Sequence, residues 1–295
     1  MAENNPFPGE NNTGHFWDGN LRELRNPAPR WWMIAFWASI LWWIAYGILY
    51  PMWPLAHGYT KGILGWTQMQ EYEQGVEQVQ AVRAKYEDEI KKMSVQEILA
   101  DPGLTQYTLA SAKVLFGDNC AACHGSGGQG NPGFPVLADD NWLYGGSVQK
   151  IQESITNGRK GAMPAHQGIL SPAEIDTLAK FVVQLGDGKP GSEEGWNLFK
   201  TKGCVACHGQ KANGIIAELP NGDKVTVGAA NLTDRIWRFE PGGYESAKHT
   251  ITYGVNQPGV AETRNAVMPA WGGPTGKLDP EEIKKLVVYV YKLSH

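Results

Sequence analysis

One five-residue pattern occurs twice and uses every cysteine in the chain: Cys120-Ala121-Ala122-Cys123-His124 and Cys204-Val205-Ala206-Cys207-His208. Two thiols at that spacing can add across the two vinyl groups of one porphyrin, and the adjacent imidazole then sits under the iron. Cys-x-x-Cys-His is accordingly the attachment pattern of c-type haem. A structural zinc site would place its second ligand pair about a dozen to twenty residues away, whereas these pairs start 84 residues apart (204 − 120). A thioredoxin-like redox pair needs a βαβ context that the flanking sequence lacks. Disulfides would leave the histidine after each pair unexplained. The pattern predicts two covalently bound haem c groups, with thioethers at Cys120, Cys123, Cys204 and Cys207 and iron ligands at His124 and His208.

The flanks repeat as well, which marks a duplicated domain. Phe116 lies four residues before the first motif and Phe199 five before the second. Leu137-Ala138-Asp139 and Ala162-Met163-Pro164 follow the first motif; Leu232-Thr233-Asp234 and Val267-Met268-Pro269 follow the second. Both copies close on a helix opened by Ser171-Pro172 or Asp279-Pro280, with proline at the first helical position and acids in the first turn. Residues 186–192 (GDGKPGS) read as the linker. From His to Met the copies span 39 (163 − 124) and 60 (268 − 208) residues, so the second carries 21 more. Part of this excess, in 215–228, carries a β-hairpin signal with Asn221-Gly222 at its turn; the rest lies between about 235 and 264.

An iron bound by histidine on one side needs a sixth ligand. Met163 and Met268 occupy matching Met-Pro steps in Gly-rich loops, which make poor core, and thioether ligation raises the potential as an electron carrier requires. His166 and His249 are the competing ligands. The simplest assignment gives each methionine to the haem of its own domain, and an exchange across the pseudo-twofold axis fits the same spacing. With both axial positions filled by side chains, neither iron offers a site for oxygen, so the haems are expected to carry electrons and no catalytic residue is assigned.

Residues 31–50 (WWMIAFWASILWWIAYGILY) hold no charge over twenty residues, about the length that crosses ~30 Å of hydrocarbon. A soluble core would rarely accept tryptophan on every face of one helix. A cleaved signal peptide fits poorly, because the run starts thirty residues in, is too long and lacks an Ala-x-Ala site close behind it. Arg22, Arg25 and Arg30 precede the span and Lys61 alone follows it closely. The positive-inside rule therefore places 1–30 in the cytoplasm and the remainder outside, which in a bacterium is the periplasm. His57, in the Gly/Pro-rich stretch after the span, reads as a structural histidine. Val76, Val79, Tyr86, Ile90 and Met93 then mark an amphipathic helix within 68–100, ended by Asp101-Pro102-Gly103.

The expected architecture is mainly α. A cytoplasmic arm (1–30), an anchor helix (31–53) and a periplasmic connector (54–105) precede two tandem class I-like cytochrome c domains, 106–186 and 187–295, the second with the hairpin-bearing insertion. Net charge is −4 with pI near 6.0, which argues against a nucleic-acid partner.

Gly14-His15-Phe16-Trp17-Asp18-Gly19, Glu23-Leu24, Asn26-Pro27 and Pro29-Arg30-Trp31-Trp32, together with Tyr59-Thr60-Lys61-Gly62-Ile63-Leu64-Gly65, carry a more specific signal. With one anchor and two haem domains, they make the chain resemble the dihaem subunit (CcoP or FixP) of cbb3-type cytochrome c oxidases. The resemblance covers essentially the whole chain and is weakest in 187–295. It implies an inner-membrane electron-transfer subunit, fed by a donor cytochrome c. Electrons would pass to the monohaem cytochrome c subunit and then to the haem-copper subunit of a proton-pumping complex. It also implies haem attachment and ligation by Cys120, Cys123, His124, Met163, Cys204, Cys207, His208 and Met268. The alternatives are a membrane-anchored dihaem cytochrome serving a quinol-oxidising complex or a periplasmic dehydrogenase, a dihaem peroxidase, and a haem-based gas sensor.

Overall fold

A computed structural model describes residues 9–220, 222, 224–239, 241–274 and 276–295. The chain divides into two compact units, Met1–Arg83 and Ala84–His295. In the first, β1 (Asn12–Trp17) and β2 (Leu21–Leu24) pair antiparallel around Asp18-Gly19, both with positive φ. Sequence reading missed this hairpin, although Asp-Gly is a strong turn signal.

Helix α1 (Arg30–Leu49) is the apolar segment, with a mean hydropathy of 1.6 and 6% of its span buried. It starts behind Pro29, whose φ of −56° suits a helix entrance, and stops at Tyr50, which is extended as a residue before proline prefers. After a short hairpin of β3 (Pro54–Leu55) and β4 (Gly58–Tyr59), the chain returns to cap α1: Ile63 and Leu64 N–H donate to the carbonyls of Ile48 and Leu49. Those carbonyls lack partners within their own helix. Gly62 sits at φ 69°, and a Cβ there would lie 2.4 Å from Leu49 O, so only glycine permits the return. His57 is exposed in this hairpin.

Helix α2 (Gln68–Lys92) runs from the first unit into the second. The single helix expected over 68–100 is broken at Ser94, where a capping box with Glu97 starts α3 (Val95–Ala100). Asp101 ends α3 and also caps α4 (Pro102–Asn119), its carboxylate accepting from Gly103 and Leu104 N–H. Of the predicted α2 stripe, Ile90 is fully buried and Met93 packs on a core, whereas Val79 is exposed.

The second unit continues with α5 (Ala121–His124), α6 (Val148–Asn157), β5 (Arg159–Lys160), α7 (Pro172–Gly186), α8 (Glu193–Thr201) and α9 (Val205–His208). It ends with β6 (Ala217–Glu218), β7 (Lys224–Val225), α10 (Gly243–Tyr253), β8 (Val267–Met268) and α11 (Pro280–Ser294). Ser171 and Asp279 open α7 and α11 through capping boxes, as the sequence signals indicate. β6 and β7 form an antiparallel ladder; Asn221, assigned to its turn, lies outside the described residues.

Two hydrophobic cores hold this unit together, and neither follows the 186/187 division. The first joins α3, α4 and α6 to α11, with Phe116 5.0 Å from Tyr289. The second joins α7 to α8 and α10, with Phe181 4.9 Å from Trp196 and 5.6 Å from Phe199. Each copy's closing helix thus packs in the other copy's core. The short linker explains this arrangement: helices joined by a few residues become neighbours, so α7 turns back against α8. Trp196 Nε1 donates to Pro190 O, fixing that turn. The place beside α4 is left to α11.

Candidate haem sites

The two attachment motifs are built alike. α4 runs directly into the first, with Cys120 N–H donating to Phe116 O at 2.8 Å and His124 N–H to Cys120 O at 2.9 Å. In the second, Cys204 N–H donates to Phe199 O at 3.1 Å and His208 N–H to Cys204 O at 3.0 Å. Gly203 absorbs the one-residue difference after α8 with φ 83°. The single turns α5 and α9 project both thiols and the imidazole from one short segment.

Each imidazole is oriented by a backbone carbonyl. His124 Nδ1 lies 3.0 Å from Pro135 O and His208 Nδ1 lies 2.9 Å from Ala230 O. A carbonyl only accepts, so Nδ1 carries the proton and Nε2 keeps its lone pair for a metal. Burial lowers the pKa of both rings, which favours the neutral form that binds iron. Burial, with Cys123 beside it, also pushes the Cys120 thiol up to about 11. Among the described residues no three His, Cys, Asp or Glu side chains converge as a metal cluster.

The methionines arrive from opposite copies. A cavity of about 320 Å³ is lined by Cys204, Cys207 and His208 together with Met163. Met268 packs instead on the first core, where Cys120 also packs. Matching backbone contacts hold the two methionines. β8 pairs with β5, placing Met268 opposite Arg159, and Met163 bridges Val255. Gly158 follows α6 and Gly254 follows α10, both with positive φ; a Cβ on either would lie 2.4 Å from the carbonyl of Met268 or Met163 respectively. Of the competing ligands, His166 lines the same cavity as Met163, and its buried Nδ1 lacks a hydrogen-bond partner. His249 is committed elsewhere: its Nε2 lies 2.9 Å from Glu262 O and its ring packs on Tyr253.

Residues 9–57 match the family described as the N-terminal domain of cytochrome oxidase-cbb3, FixP. Residues 108–182 and 191–290 match the family described as cytochrome c oxidase, cbb3-type, subunit III. Over 97% of its length the chain is 39% identical to the cbb3-type cytochrome c oxidase subunit FixP of Azorhizobium caulinodans, covering 94% of that protein. It is also 39% identical to subunit CcoP of Azospirillum sp. over 100% of this chain and 99% of the relative, and 35% identical to CcoP of Cereibacter sphaeroides over 97% and 96%. The chain belongs to the FixP/CcoP family of cbb3-type cytochrome c oxidase subunits.

Haem c is the cofactor of such cytochrome c domains, and the side chains of this FixP/CcoP chain fit it. The second cavity combines paired thiols, an oriented imidazole and a thioether with apolar walls from Leu178, Phe199, Trp237 and Ile251. Polar groups without partners also remain buried near the two cores: Trp142 Nε1, Arg159 Nη2 and Arg264 Nε. Trp142 packs on the first core, Arg159 stacks on Tyr144 at 4.7 Å, and Arg264 stacks on the cavity residue Phe239 at 4.6 Å. Unpaired N–H donors of this kind suit the carboxylates that a haem brings. Sequence reading missed these residues, although Trp142-Leu143-Tyr144 and Trp237-Arg238-Phe239 stand at the same offset, five residues after Leu137 and Leu232.

Proposed function

We propose that this chain is the electron-transfer subunit of a cbb3-type oxidase, taking electrons from a donor cytochrome c and passing them through two covalently attached c haems. They leave toward the monohaem cytochrome c subunit and the haem-copper subunit that reduces oxygen in a proton-pumping complex. The whole-length likeness to FixP and CcoP subunits carries this reading, because it includes the arm and anchor that other dihaem cytochromes need not share. We assign 1–30 to the cytoplasm, the anchor to 31–53 and the inner membrane, and everything beyond to the periplasm. The arginines before α1 support that orientation.

Bound haem supplies a one-electron Fe(III)/Fe(II) couple. Cys120 and Cys123 attach the first haem and Cys204 and Cys207 the second. His124 and His208 present Nε2 to the iron, each held by its carbonyl partner. Met268 serves the first haem and Met163 the second, an exchange supported by the crossed cores and by the matching contacts of Gly158 and Gly254. That symmetry favours Met163 over His166, since the position three after Met268 is Trp271. Domains 106–186 and 187–295 are then the repeats, but each redox site draws on both. The β6–β7 ladder supports the hairpin reading of the insertion.

Purification of the complex through a tag on this chain tests the assignment. Haem b, copper and oxygen consumption should copurify. Recovery with dehydrogenase or quinol-oxidising subunits alone would reject it.

A further inference from the structure

The two matching Trp-x-aromatic segments differ by one charge. At the position where the first copy has Leu143, the second has Arg238, and no other cation occupies either Trp-x-aromatic segment. Arg238 lines the 320 Å³ cavity with His208 and Met163. Its Nε donates to Gly133 O at 3.2 Å, and its own carbonyl accepts from Gly133 N–H at 2.6 Å. Gly133 belongs to the first copy's loop, two residues before the Pro135 carbonyl that orients His124. The guanidinium is close enough to His124 to disfavour its protonation. Arg238 has no carboxylate partner among the described residues, and burial lowers its pKa. A guanidinium stays charged in proteins, and Arg238 is partly withdrawn from water without a counterion, which is costly. The site therefore calls for an anion.

The geometry points to Arg238 as a positioning residue that pairs with a propionate carboxylate of the second haem while holding the first haem's loop at Gly133. This inference rests on the haem assignment above. Its electrostatic consequence has a definite sign. A fixed cation beside a haem favours the ferrous state, so it raises that haem's potential. Both haems are affected, the second through the propionate pair and the first through His124's surroundings.

The test is redox titration of the purified full-length cytochrome and its Arg238→Leu, Arg238→Gln and Arg238→Lys variants. Leucine is the first copy's own residue at this position. Both neutral variants should lower the potentials of both haems, while lysine should restore most of the loss. Potentials unchanged in folded neutral variants, or a shift confined to the first haem, would overturn the proposal. Equal loss with lysine and leucine would overturn it too, since that is what a purely structural role at Gly133 gives. Should the neutral variants fail to fold, the wild type decides: reduced-minus-oxidised infrared spectra with 15N-arginine should contain an isotope-sensitive guanidinium band. A spectrum without one would overturn the proposal. A wild-type preparation lacking two covalent haems would instead reject the underlying haem assignment.

Discussion

The first candidate haem site is assembled from both ends of the second unit, the second from one continuous stretch. Residues from α4 through β5 need β8 and α11, more than a hundred positions later, to complete the first core. From Met163 through α7, α8 and α10 the second site runs in sequence order, as a cytochrome whose usual last segment comes first. Identical local parts therefore carry different risks. The first site depends on long-range closure, which forms late and at greater entropic cost, while the second depends on the short turn at 186–192.

Truncation after residue 265 should split the two most sharply. It removes Met268 and α11, so the first haem should lose its low-spin spectrum entirely while the second keeps its own. Had each copy closed on itself, the second haem would be the one lost. Phe181→Ala comes next. Phe181 lies in the first repeat but is fully buried in the second core, and its removal should cost about 3–5 kcal/mol. Denaturation followed at each haem's absorption should show the second haem released earlier and the first little changed.

Acid should give a smaller difference. Lys202, with help from the Ser171 cap, holds Glu174 at about 2 from an ordinary 4.5, and Lys180 with Tyr244 holds Asp176 at about 2 from 3.8. Lys202 and Tyr244 belong to the second copy, so these contacts tie α7 into the second core. Glu153, also near 2, bonds within its own copy to Arg159 and Lys150. Because the folded pKa values lie below the unfolded ones, this stabilisation is complete above about 4.5 and lost as pH falls towards about 2. Both carboxylates keep about a third of their surface in water, and solvent screening makes the effect modest. Stopped-flow acidification should perturb the second haem before the first; simultaneous loss would count against the interrepeat role of these contacts.

The two Cys-x-x-Cys-His turns, the apolar helix α1 and both capped closing helices were legible in sequence because each rests on local chemistry at fixed spacing. The exchange of α7 and α11 was not legible, since either closing helix has the apolar face to fit either core. What decides between them is the length of the turn at Pro190 and its packing under Trp196. Ser94 was readable as a capping box and was missed because the apolar stripe continues through it to Ile98. Arg238 gave no local signal; its meaning comes from the first copy's Gly133, 105 residues away (238 − 133).

Crossed ligation is the central claim, and a chain carrying only the first haem tests it most directly. With Cys204→Ala and Cys207→Ala blocking the second attachment, the methionine-to-iron charge-transfer band belongs to the first haem alone. Met268→Leu should abolish that band and Met163→Leu should leave it intact. Loss of the band with Met163→Leu and its survival with Met268→Leu would contradict the exchange.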